Sequence, residues 1–156
     1  MKKSAVAVIA GLIGAGTGTA ATYALLSQKK PEVKSDKFKI YYNTLNQWLK
    51  VKNLGKDLGE YFIENNYKRI AIYGMGELGN RLCEELKQSD VKIAYGIDQS
   101  AQFAYSDLTV YSLEDELPEV DAVVVTAVFA FDEIRESIEE KVSGEIISLE
   151  DVVFEV

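Results

Sequence analysis

Lys68-Arg-Ile-Ala-Ile-Tyr73 runs directly into Gly74-Met-Gly-Glu-Leu-Gly79. The first six residues form a short apolar, β-branched run of the kind that suits a buried parallel strand. The next six follow the pattern G-x-G-x-x-G. Beyond them Leu78, Leu82, Cys83 and Leu86 recur at helical spacing, with Arg81, Glu84, Glu85 and Lys87 on the wetter face. Ser89-Asp90 breaks that helix. Val91-Lys-Ile-Ala-Tyr-Gly-Ile97 reads as a second strand, and Asp98 ends it 19 residues after Gly79.

Each residue type has a mechanical reason to stand where it does. Gly74 permits a tight turn off the strand. Gly76 lets a pyrophosphate approach the backbone with no Cβ in the way, and Gly79 lets the helix lie close to the strand. The helix start offers free N–H groups and the positive end of a dipole. Asp98 can accept hydrogen bonds from ribose hydroxyls. Strand, glycine loop, helix, strand and acid within about 31 residues point to the fold more firmly than to a ligand. The glycines would also serve packing alone, in a fold that binds nothing. Glu77 lies in the first helical turn. There it favours the dipole and competes with phosphate. It either turns outward or bonds a ligand hydroxyl.

The remainder completes the sheet. Leu108–Tyr111 reads as a third strand, and Ser112 caps a helix over 112–116 with Asp115 three positions on. Asp121-Ala-Val-Val-Val-Thr126 is the strongest buried strand, followed by a loop through Phe129. Asp132 caps a helix running to about Val142, which Gly144 ends. Glu145–Ser148 is the last strand and Leu149–Val153 a closing helix. The expected fold is α/β, a small doubly wound parallel sheet of about five strands, Rossmann-like, occupying 67–156. Ligands in such sheets bind beyond the carboxyl ends of the strands, where the strand order reverses. That gathers Gly74, Met75, Gly76, Glu77, Leu78, Gly79, Asp98, Gln99 and Thr126 around one crevice. Thr126 is equally readable as a ligand contact or as a buried hydroxyl bonded to backbone.

Upstream, residues 31–66 read as a linker and a helical neck of two helices, broken at Asn53-Leu54-Gly55. Trp48 and its neighbouring tyrosines suggest either a sugar-stacking platform or packing against the domain. Aromatic burial favours packing. Residues 1–30 read as a membrane anchor. Ala5–Leu26 is 22 residues without a charge, about 33 Å as a helix. That length favours a retained single-pass span over a cleaved signal. Four lysines follow it closely (29, 30, 34, 37), and they lean the body toward the cytoplasm. The lone Cys83 fits that side.

Composition removes several function classes. The net charge is −8, with +4 over residues 1–37 and −12 over 38–156. So acidic a body disfavours nucleic acid. The absence of His excludes His-based acid–base catalysis, Ser-His and Cys-His nucleophiles and His-ligated zinc. One Cys excludes a disulfide framework and any C-x-x-C site. None of the nine Tyr has Lys four positions later. A Lys so placed lowers a tyrosine's pKa for proton transfer in short-chain sugar dehydratases and epimerases, and its absence argues against that reaction. No catalytic residue is assigned.

Ile-Ala-Ile-Tyr-Gly-Met-Gly-Glu-Leu-Gly over 70–79, with a following strand that ends Ile97-Asp98, resembles the Rossmann-like nucleotide- or NAD(P)-binding domains attached to bacterial surface-polysaccharide proteins. These include the N-terminal domains of sugar O-acyltransferases and domains labelled nucleoside-diphosphate-sugar epimerases. The resemblance covers roughly residues 66–152. It implies phosphate contact at Gly74, Gly76 and Gly79 and ribose or base contact at Asp98. It also implies a nucleotide sugar or NAD(P) as ligand and a protein partner in polysaccharide assembly. The chain lacks the acyltransferases' left-handed β-helix. The expected function is therefore a non-catalytic, membrane-anchored binding domain, with a partner-dependent enzyme subunit or an adaptor as the alternative.

Overall fold

The structure is a computed structural model that describes residues 36–99 and 108–156. The expected span at 5–26 and the lysines at 29, 30 and 34 lie outside them. Among the described residues no helix is long and apolar enough to cross a membrane. The chain divides into two compact units at Lys39/Ile40, and the architecture below is that of Ile40–Val156.

Helix α1 occupies residues 36–53 and ends where Gly55 takes a φ of 75°. Helix α2 (Gly59–Glu64) follows and closes at Asn66, whose φ is 62°. Then come β1 (Arg69–Tyr73), α3 (Glu77–Leu86), β2 (Lys92–Ile97), β3 (Val110–Tyr111), β4 (Ala122–Val125), a 3-10 turn at Val128–Ala130, α4 (Phe131–Ile138), β5 (Glu145–Ser148) and α5 (Leu149–Glu155). The strands make one sheet in the order β3-β2-β1-β4-β5, and every neighbouring pair is parallel. This is the five-stranded parallel α/β sheet expected, and its order is that of a doubly wound sheet, reversing between β1 and β4.

Alternation within the apolar strands divides them between two faces. Ile70, Ile72, Ala122 and Val124 enter one cluster with Phe62, Leu82, Leu149, Val152 and Val153. Ala71, Tyr73, Val123 and Val125 enter the other with Tyr95, Ile97 and Ile138. Both sides are dry, so the strands carry no polar alternation. A large aliphatic side chain so enclosed contributes about 1.5–3 kcal/mol by leaving water. Trp48 and Val51 of α1 belong to the first cluster. The neck helix therefore packs on the sheet rather than offering Trp48 to a ligand, and Trp48 is only 6 % exposed.

Three local expectations need correction. The helix over 112–116 does not form. Its capping bonds do: the Ser112 N–H donates to Asp115 Oδ2 at 2.7 Å, and the Glu114 N–H donates to Ser112 Oγ at 3.2 Å. Pro118 lies too close for a helix to propagate, because its ring disfavours helical backbone at Leu117. The segment instead turns at 113–115 and runs on without regular secondary structure to residue 120. Leu113 and Leu117 pack on the second cluster, and the Tyr95 hydroxyl donates to the Pro118 carbonyl at 2.8 Å. The third strand keeps only Val110–Tyr111. Helix α4 starts at Phe131, without a side-chain cap, and stops at Ile138 instead of Val142.

Candidate functional site

Parallel register builds the site. Tyr73 pairs with Ile97 in β2 and with Val125 in β4. The residues that follow these three strands, Gly74, Asp98 and Thr126, therefore lie side by side at the carboxyl edge. Gly74 turns there with a φ of 92°, a conformation that costs a residue with a Cβ about 1 kcal/mol or more. Its N–H donates to the Ile97 carbonyl at 2.8 Å.

Thr126 is buried and clamps the turn. Its hydroxyl lies 2.6 Å from the Gly74 carbonyl oxygen and 3.2 Å from that of Tyr73, and its N–H donates to the Tyr73 carbonyl at 2.9 Å. One hydroxyl proton thus serves two backbone acceptors. The geometry is that of the buried hydroxyl.

Asp98 is half-buried and points into the loop. Its Oδ2 accepts the Met75 N–H at 2.8 Å. Its own N–H donates to the Tyr111 carbonyl at 3.0 Å. Gln99 hydrogen-bonds the Tyr73 phenol. Burial raises the Tyr73 pKa most, the Gln99 bond lowers it and the Asp98 charge raises it.

Met75 and Leu78 belong to the core, at 5 % and 4 % exposure. The Met75 thioether lies over Gly96, where a Cβ would come within 2.8 Å of the sulfur. Gly79 permits contact between α3 and the turn, since a Cβ there would overlap the Gly74 carbonyl oxygen. Gly76 differs: a Cβ would meet open space. It is the N-cap of α3, and no side chain caps that end. The first N–H groups of a helix have no intrahelical acceptor, and α3 begins without a side chain to supply one. Glu77 turns away, its side chain 90 % exposed and 3.8 Å from Arg81 one turn on. Its carboxylate therefore does not cap the start of α3.

Two aromatic residues at this edge escaped the sequence reading. Tyr73 ends β1 immediately before the glycine turn. Phe129, in the 3-10 turn after β4, stands 5.6 Å from the Tyr41 ring of α1. The Tyr73–Gly74 juncture is a local signal for the first. Nothing local announces the second, because it joins residues 88 positions apart.

In chemical terms the site holds backbone donors, one carboxylate and neutral phenols. Cys83 is half-buried in α3, and burial pushes its thiol pKa up, opposite to what a nucleophile needs. Among the described residues, no buried side-chain nitrogen or oxygen lacks a hydrogen-bond partner.

No family model matches the chain, and neither a curated protein nor a solved structure does. The fold assignment therefore rests on the strand order and the glycine turn.

Proposed function

We propose that the crevice beyond β1 and β4 binds a nucleotide-containing ligand, a nucleotide sugar or NAD(P), with no catalysis by this chain alone. The observation that carries the reading is the uncapped start of α3 beside the reversal of strand order, with open space above Gly76. A phosphate seated there accepts the N–H groups of the first helical turn and meets the positive end of the helix. Asp98 stands within reach of a ribose, already oriented by the Met75 N–H. Its charge disfavours a 2′-phosphate, so NAD suits the site better than NADP. The uncharged stretch 5–26, followed closely by Lys29, Lys30, Lys34 and Lys37, supports a single-pass anchor with the body in the cytoplasm. A Rossmann-like domain held there fits an accessory or regulatory role in surface-polysaccharide synthesis, beside a protein partner.

Calorimetry with NADH, NADPH, UDP-sugars and coenzyme A tests the reading. One of the nucleotides gives saturable heat, and Gly76→Val removes it by placing a branched side chain where the phosphate sits. The variant keeps the fold because the added atoms enter open space. No heat with any of the four overturns the proposal.

The bond from the Met75 N–H to Asp98 favours a second reading, an adaptor that binds no small molecule. It satisfies one loop amide from within the protein. Under that reading Gly76→Val leaves cellular function intact.

A further inference from the structure

Helix α1 buries one side and leaves an apolar stripe beside it. Tyr42, Leu45 and Leu49 are 60 %, 46 % and 58 % exposed. The three follow a 3-4 spacing, the repeat of a helix-pairing seam. Thr44, Trp48 and Val51 turn to the interior. Leu45 and Leu49 also line a groove of about 460 Å³ between α1 and α3, which Lys52, Arg81, Glu84 and Glu85 border. Trp48 and Gln88 complete it.

The charges on that border identify the occupant. Residues 38–156 carry a net −12, yet the groove is edged by two cations and two carboxylates. Lys52 and Glu85 are committed to each other at 2.9 Å, and Glu85, with its side chain only 9 % exposed, also accepts the Leu58 N–H. Arg81 and Glu84 are different. They lie 2.7 Å apart with both side chains more than half exposed, so they can exchange partners at little cost. An apolar floor with an exposed, exchangeable cation–anion pair beside it is complementary to itself. A strongly acidic partner would meet Glu84 at the groove's edge.

We infer that this face binds a second copy of the chain about a two-fold axis, with α1 laid against α1 and Arg81 of each copy facing Glu84 of the other. An interface of this kind uses one patch on both molecules. Opposite charges across it set the register. The neutral rim also lets two acidic bodies approach on this side.

Sedimentation equilibrium of the full chain in mild detergent tests the inference independently of any nucleotide. Wild type dimerises as concentration rises. Leu45→Glu/Leu49→Glu is monomeric with unchanged helical circular dichroism. Arg81→Glu alone and Glu84→Arg alone each dimerise about tenfold or more weakly, because like charges then face each other. Mixing those two variants restores association as a heterodimer, since each supplies the charge the other lacks. A wild type that stays monomeric throughout overturns the inference, as do single charge variants that pair as tightly as wild type.

Discussion

The Asp98 carboxylate accepts the Met75 N–H at 2.8 Å, joining the tip of β2 to the turn that leaves β1. An ionised acceptor makes this bond stronger than a neutral one, and half-burial keeps part of that strength from solvent. Asp98→Ala lowers unfolding free energy by about 1–2 kcal/mol. Asp98→Asn costs about half as much, because the amide oxygen still accepts. Urea denaturation of the three proteins measures both. Equal stability for all three would show that the bond holds nothing in place.

Two glycines of one loop respond oppositely to the same change. Gly79→Ala forces a Cβ against the Gly74 carbonyl oxygen, and backbone has no rotamer with which to give way. The loss is about 3 kcal/mol or more. Gly76→Ala enters open space at a φ of −81°, and costs less than about 1 kcal/mol. Thermal melting of the pair checks the contrast.

Thr126→Val keeps the shape and removes the hydroxyl. The Gly74 carbonyl then loses its 2.6 Å donor in a part-buried position. An acceptor stranded in this way costs about 1–3 kcal/mol. Thr126→Ser keeps the donor and recovers most of the loss. Denaturation midpoints of the two variants separate the hydroxyl from the methyl group.

Tyr67 makes stability depend on alkaline pH. Its hydroxyl donates to Glu145 at 2.6 Å. That bond, then burial and the nearby negative charges, push its pKa up to about 12 from an ordinary 10.0. The folded state thus holds the proton more tightly than the unfolded chain. The contribution is complete below pH 10 and falls away as pH rises from 10 to 12. The site is near the surface, so the effect is small. Tyr67→Phe abolishes this part of the decline in a series of urea melts across that window.

Sheet and glycine turn were legible because their signals are local. Ile70, Ile72, Val123 and Val124 are apolar and β-branched on both faces, and only a covered parallel strand uses such a run. Gly74 and Gly79 follow at fixed offsets, and the spacing to Asp98 measures one helix and one strand. The outward turn of Glu77 was also within reach, since Arg81 stands one helical turn on. Other features depended on distant parts of the chain. The Ser112 N–H bonds Asp115 and the Ser112 hydroxyl accepts the Glu114 N–H whether or not a helix follows, so the cap signal could not reveal that Pro118 stops it. The partner of Asp98 follows from strand register, and the pairing of Tyr41 with Phe129 from the path of α1 over the sheet. Neither quantity is written in a short window of sequence.

The Met75 side chain lies on Gly96 beneath the turn that bears its own amide. A side chain sunk into the interior fastens the loop from below, while Thr126 and Asp98 grip it from either flank. The loop is therefore held in shape by the protein's own contacts. With so many contacts already made, a small anion seated there would have little left to order. Encounter, not rearrangement, would then govern how fast the seat is taken.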